Sequence, residues 1–275
     1  MSDARPHPAD VLRFYAENGV DIALDEVAPN RLAEPATIIE GHKFEVPKRE
    51  SPKPFGAPAS ARQPAAQRNV TPPAVPEVAI RDAAQLAANA NTLEELRAAV
   101  ESFEGCALKA TAMRTVFADG NSQARVMFVG EGPGAEEDRE GLPFVGRSGK
   151  LLDRMIAAIG LDRTSAYIAN IIPWRPPGNR TPTPQESAIC LPFIKKQIEL
   201  ADPDILVCLG GPSATTLLEL KEGITRTRGR WLEYDTGKRK IKAIALFHPA
   251  YLLRSPAHKK LAWQDLLAIK KALAS

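Results

Sequence analysis

The sequence predicts an α/β protein: a three-layer sandwich around a central, mainly parallel sheet, preceded by a disordered N-terminal extension. Three observations carry that expectation. Beyond Pro76, apolar runs of strand length alternate with capped helical segments, the pattern of a parallel sheet joined by right-handed crossovers. Twelve of the 24 prolines stand before residue 79, so the front of the chain is a different material. The whole, 275 residues with 44% hydrophobic and 25% charged side chains, has enough apolar surface for a sizeable core.

The elements follow in order. Residues 9–26 suit one short amphipathic helix, with Val11, Leu12, Phe14, Tyr15 and Val20 on its apolar side, before Pro29 and Pro35 break the period. From there to about Pro76 the chain is a proline-rich linker with almost no periodic apolar residues, too few to offset the entropy of ordering it. We therefore expect an extension over 1–78 and a folded domain over 79–275. Thr92 and Glu95 form a capping-box signature ahead of LEELRAAV. A strand follows at RVMFVG (125–130), then a helix at GKLLDRMIAAI closed by Gly160, a strand at AYIAN, and a helix from Pro184 behind a second capping box, Thr183 and Glu186. DILVCLG is a third strand, feeding a helix that opens at Pro212. GRWLEY and KIKAIALF are two more strands, and a last helix runs near 258–273. Ligands of such sheets sit beyond the carboxyl ends of the strands, here just after Val129, Ile168, Leu209 and Leu246.

Composition narrows the function classes. The three cysteines, Cys106, Cys190 and Cys208, are odd in number and widely spaced, so neither a disulfide framework nor a CxxC zinc site is expected and a reducing cytoplasm is. Residues 1–20 carry Asp3, Asp10 and Glu17 and no apolar stretch of signal-peptide length, and no run reaches membrane-spanning length. The net charge of +3 hides a gradient: 13 basic against 4 acidic residues over 221–275. That basic end is where a polyanion is expected.

The strand ends carry the chemistry. After the first strand comes Gly130-Glu131-Gly132-Pro133-Gly134-Ala135, close to a GxGxxA dinucleotide fingerprint. With the next helix expected only near 149, and Glu131, Glu136, Glu137 and Asp138 set to repel a pyrophosphate, nucleotide binding is the weaker reading. GRSGKLL is not a phosphate loop, because Leu151 replaces the Ser or Thr that would hold magnesium. The second strand ends in Asn170 and the fifth leads into His248, with Phe144 upstream. Asn170 alone is as well read as a turn cap, and a lone histidine as structural. Together a ring, an amide and an imidazole suit a planar heterocycle.

GEGPGAEEDREGLPFVGRSGKLL, YIANIIPWRPPGNRTP, LGGPSATTLL and HPAYLLR occur in that order, and over roughly 103–273 the chain resembles the family 4 uracil-DNA glycosylases. Those are α/β base-excision-repair hydrolases that flip deoxyuridine out of DNA, cut its N-glycosidic bond and leave an abasic site. The resemblance implies that Gly130, Gly132 and Phe144 shape the pocket, with Phe144 stacked on the base. Asn170 would read the polar edge and His248 contact a carbonyl. Glu131 would place or polarise water, with Glu137 and Asp138 as rivals. It further implies Leu252 as a wedge in the duplex and Arg254 and Arg175 as DNA contacts. The tract Arg226, Arg228, Arg230, Lys238, Arg239, Lys240, within a segment of net charge +5 over 221–242, is read as DNA-facing, against the plain alternative of a solvated hairpin.

The chain also departs from that family, whose members usually hold a 4Fe-4S cluster on four cysteines. The matching positions here are Phe103, Cys106, Trp174 and Cys190. Phenylalanine and tryptophan cannot bind iron, so no metal or cofactor is expected and the two rings should fill the cluster's volume. The expected protein is a monomeric, metal-free enzyme acting on uracil-containing DNA, without membrane attachment and with residues 9–26 free to meet a protein partner. A non-catalytic DNA-binding scaffold with a relic pocket is the alternative from another class.

Overall fold

The structure, a computed structural model, describes residues 76–274; the helix expected over 9–26 and the linker behind it lie outside the described residues. Helix α1 (Pro76–Asn89) buries Ala79, Ala83 and Ala87, one turn apart, and the expected domain start near 79 falls inside it. Alanine is a weak hydrophobic signal, and α1 is missing from the elements read in the sequence for that reason. Helix α2 (Leu93–Ser102) is capped as its sequence suggests, the Thr92 hydroxyl accepting from the Glu95 amide at 3.1 Å. A short α3 (Ala107–Thr111) follows.

Six strands make one sheet in the order β1-β3-β2-β4-β6-β5. Strands β2 (Val126–Gly130), β3 (Tyr167–Asn170), β4 (Ile205–Leu209) and β6 (Lys240–Leu246) are parallel. The two edges, β1 (Ala118–Gly120) and β5 (Trp231–Asp235), run antiparallel. β2 and β4 are buried along their whole length, as near-continuous apolar runs in a sheet covered on both faces must be. Strand alternation divides the core: Met127, Val129, Leu206 and Cys208 face one layer, Val126, Phe128, Val207 and Leu209 the other. The first layer holds α1, α2, α6 (Pro184–Ala201) and α7 (Gly211–Leu218); the second holds α5 (Arg147–Ala157), α9 (Pro249–Arg254) and α10 (Lys259–Ala274), and a one-turn α8 (Ile224–Thr227) precedes β5. The three-layer α/β sandwich expected from the sequence is therefore the fold.

Other elements differ from the reading as well. The carboxylate-rich stretch after β2 is not loop but a helix, α4 (Ala135–Glu140), because Glu137 reaches back to the Gly134 amide at 3.1 Å and Gly141 ends it in the left-handed region. Glu136, Glu137 and Asp138 in its first turn face the positive end of the peptide dipoles, where acidic side chains are favoured. Edge strand β1 has three residues, too few for a period to show. Among the described residues no helix is long and apolar enough to cross a membrane.

Candidate active site

β2, β3, β4 and β6 all point their carboxyl ends to one side, and there a cleft of about 700 Å³ opens. Glu131, Gly132, Phe144, Asn170, His248 and Arg254 line it, so the parallel sheet brings together residues up to 123 positions apart in sequence. Asn170 ends β3 paired with Gly130 at the end of β2. Gly130 is required there by close approach: a Cβ would stand 2.5 Å from the Asn170 Oδ1 and 2.6 Å from the Phe144 ring. Asn170 is 5% exposed, and its Oδ1 is a buried acceptor with no hydrogen-bond partner among the described residues. Such an atom is costly to desolvate and leave unpaired, so it marks a place where a ligand donor belongs.

The Phe144 ring lies 5.6 Å from the His248 ring, tilted 32° to it, and forms the floor beside Asn170. His248 is the N-cap of α9, its Nδ1 accepting from the Ala250 amide at 3.1 Å. The neutral ring then carries its proton on Nε2, free to donate into the cleft. Burial, with the Arg254 charge adding to it, pushes the histidine pKa down to about 4. The ring is neutral at physiological pH.

Of the three carboxylates expected as candidates to place water, two are spoken for. Glu137 accepts from the Gly134 and Gly146 amides at 3.1 and 2.9 Å, stapling two loops of the rim. Asp138 accepts from the Met113 and Arg114 amides at 2.7 and 3.2 Å and is 2% exposed. Glu131 lines the cleft, and burial raises its pKa above the ordinary 4.5.

The expected DNA contacts need correction. Leu252 is 1% exposed and shares the buried face of α9 with Pro249 three residues before it, inside the core layer of Phe247 and Leu266. Its neighbour Leu253, 38% exposed, is the leucine at the surface. Arg228 is also internal: its guanidinium grips Asp265, itself 3% exposed, and donates to the Leu261 carbonyl at 2.8 Å. The basic tract is divided by the length of β6, about 20 Å at the usual rise per residue. Arg226 and Arg230 stay near the cleft end, while Lys238, Arg239 and Lys240 lie at the other, with Arg239 tied to Asp202 and Asp204. Arg175 is partly covered and donates to Asn179 at 2.7 Å. Arg254 is exposed on the rim.

On the opposite layer, the Phe103 and Trp174 rings stack with centroids 6.4 Å apart, Phe193 meets Phe103 edge-on at 5.2 Å, and the Trp174 indole donates to Thr115 at 3.1 Å. Cys106 and Cys190 are buried free thiols; their mutual hydrogen bond lowers the pKa of Cys106 and, with burial, pushes that of Cys190 well up. Cys208 is core, its thiol raised to about 12 by burial. Two thiols and two rings do not furnish four thiolates, so this corner does not fit an iron–sulfur cluster.

Comparison with known proteins agrees with the geometry. The family model described as the uracil DNA glycosylase superfamily matches residues 117–267. A type-4 uracil-DNA glycosylase of Thermotoga maritima is 42% identical over 161 residues, 58% of this chain and 82% of that protein. Those of Archaeoglobus fulgidus and Saccharolobus solfataricus are 40% and 39% identical, covering 60% and 64% of this chain and 85% and 84% of theirs.

Proposed function

The chain belongs to the uracil DNA glycosylase superfamily, and from that membership we propose that it hydrolyses the N-glycosidic bond of deoxyuridine in DNA, releasing uracil and leaving an abasic site. The observation that carries the proposal is the buried, unpartnered Oδ1 of Asn170 beside Phe144 and His248. Uracil stacked on Phe144 presents its N3–H to that oxygen and a carbonyl to the Nε2–H of His248. Cytosine has no N3–H. Bond cleavage leaves negative charge on the base and oxocarbenium character on the sugar, so a neutral donor at the carbonyl and a carboxylate at the sugar are what the step needs. His248 supplies the first; Glu131, which no side chain of the described residues pairs, supplies the second and orients water. Arg254 at the rim and the exposed Leu253 next to it in the chain meet the duplex from which the base was drawn, offsetting the cost of extrusion.

We further propose that the protein works as a monomer in the cytoplasm and without an iron–sulfur cluster; the stack of Phe103 on Trp174, at two of the four positions that would hold it, supports the last point. The test is one assay: purified protein with EDTA and a uracil-containing oligonucleotide, then hot alkali. Scission at the uracil, absent from a cytosine control, is expected. An intact strand overturns the proposal.

A further inference from the structure

Phe144 occupies a conformation it would not choose. Its φ is 55°, the left-handed region, where a bulky side chain is strained unless its surroundings hold it. Two contacts hold its peptide. The first turn of α5 runs directly beneath, so close that a Cβ on Gly149 would stand 1.7 Å from the Phe144 carbonyl oxygen. From the other side comes Arg163, a residue in the turn after α5 that does not line the cleft. Its Nη2 donates to the Phe144 carbonyl and its Nη1 to the Pro143 carbonyl at 3.0 Å. The remaining edges of the guanidinium are fixed by Asp119 on β1 and by Asp153 on α5, the latter at 3.0 Å. The planar fork thus has a partner on each side and is one-quarter exposed.

We propose that Arg163 is a positioning residue for the ring of Phe144 and, through it, for the extruded base. This rests on the reading of the cleft given above. With the two carbonyls gripped, Phe144 cannot relax to negative φ, and its ring stays 5.6 Å from His248. The short antiparallel edge strand then has a purpose, because it carries Asp119 to the back of the site. A lysine at 163 keeps a positive charge between the two aspartates but has no planar fork to serve both carbonyls.

Arg163→Met and Arg163→Lys, each alone and combined with Phe144→Ala, test the proposal in three measurements: single-turnover excision, inhibition by free uracil, and affinity for a uracil-free duplex. Arg163→Met should lower the excision rate at least ~10-fold and weaken uracil inhibition by a similar factor, with duplex affinity within about twofold. Arg163→Lys should keep the melting temperature and still lose most of the rate, so it decides the matter if the methionine variant does not fold. In the Phe144→Ala background neither substitution should cost more than about twofold further, because Arg163 acts through that ring. Variants that melt earlier but match the wild type in rate and uracil inhibition, or that lose as much without the ring as with it, overturn the inference alone. A wild type that neither excises uracil nor is inhibited by it overturns the reading of the cleft as well.

Discussion

A histidine that stays neutral is a donor whose strength does not depend on capturing a proton, and His248 is one, because its folded pKa of about 4 lies below the ordinary 6.5. The sign follows from linkage. The stability contributed by the neutral ring is fully present above 6.5 and is lost as the pH falls toward 4, since the unfolded chain then binds a proton that the folded one refuses. Glu131 moves the other way, raised above 4.5 by burial, so it is the first of the two to lose its working form on acidification. The acid limb of single-turnover excision above about pH 4 should therefore disappear in Glu131→Gln, leaving a slow rate flat down to the titration of His248, and persist in His248→Ala beneath an overall loss of at least ~10-fold. An acid limb that survives Glu131→Gln would show that this carboxylate does not set it.

At the scale of the element, the cleft's rim is made of loops, and each is tied down differently. Glu137 staples the loop after β2 to the start of α5. The loop after β3 is anchored by Trp174 in the aromatic corner, where 1% of that residue remains exposed. Trp174→Ala should cost ~3–5 kcal/mol in denaturant unfolding, the usual loss for emptying a large aromatic site. Purified wild-type protein should be colourless and free of stoichiometric iron, and Cys106→Ser and Cys190→Ser should keep the fold. A brown protein with about four irons per chain, the content of a 4Fe-4S cluster, would overturn that account. In α9, the pair Leu252 and Leu253 separates stability from function. Leu252→Ala should destabilise by about 2–5 kcal/mol as a core truncation, whereas Leu253→Ala should leave stability near wild type and slow excision from duplex more than from single strands.

Over the whole molecule, charge is sorted by the sheet's polarity more than by its amount. The basic C-terminal fifth does not form one surface, because β6 carries Arg239 away from the cleft to its acidic partners, and Arg228 is consumed inside by Asp265. Arg254 remains at the cleft, its charge felt by His248. The dependence of duplex affinity on salt should register this: Arg254→Gln should reduce the slope of log K against log salt by about one, and Arg239→Gln should leave it unchanged. Equal slopes for the two would place the DNA path elsewhere.

Local rules and long motifs encode much of this protein in the order of its residues. The succession of strands and capped helices along the chain, the cleft at the strands' carboxyl ends, and the grouping of Glu131, Phe144, Asn170 and His248 were all legible there. So was the aromatic contact between Phe103 and Trp174. Tertiary structure alone decided which way each of these side chains faces and what it is already bound to. Leu252 and Leu253 have the same chemistry and differ by one step of a helix that is buried on one side. Glu137 and Glu131 have the same side chain, and two backbone amides converge on the former. Arg228 reads as a surface cation until Asp265, 37 residues later, comes to lie against it. Such distinctions are set by contacts between segments far apart in the chain, and no periodicity or local propensity records them.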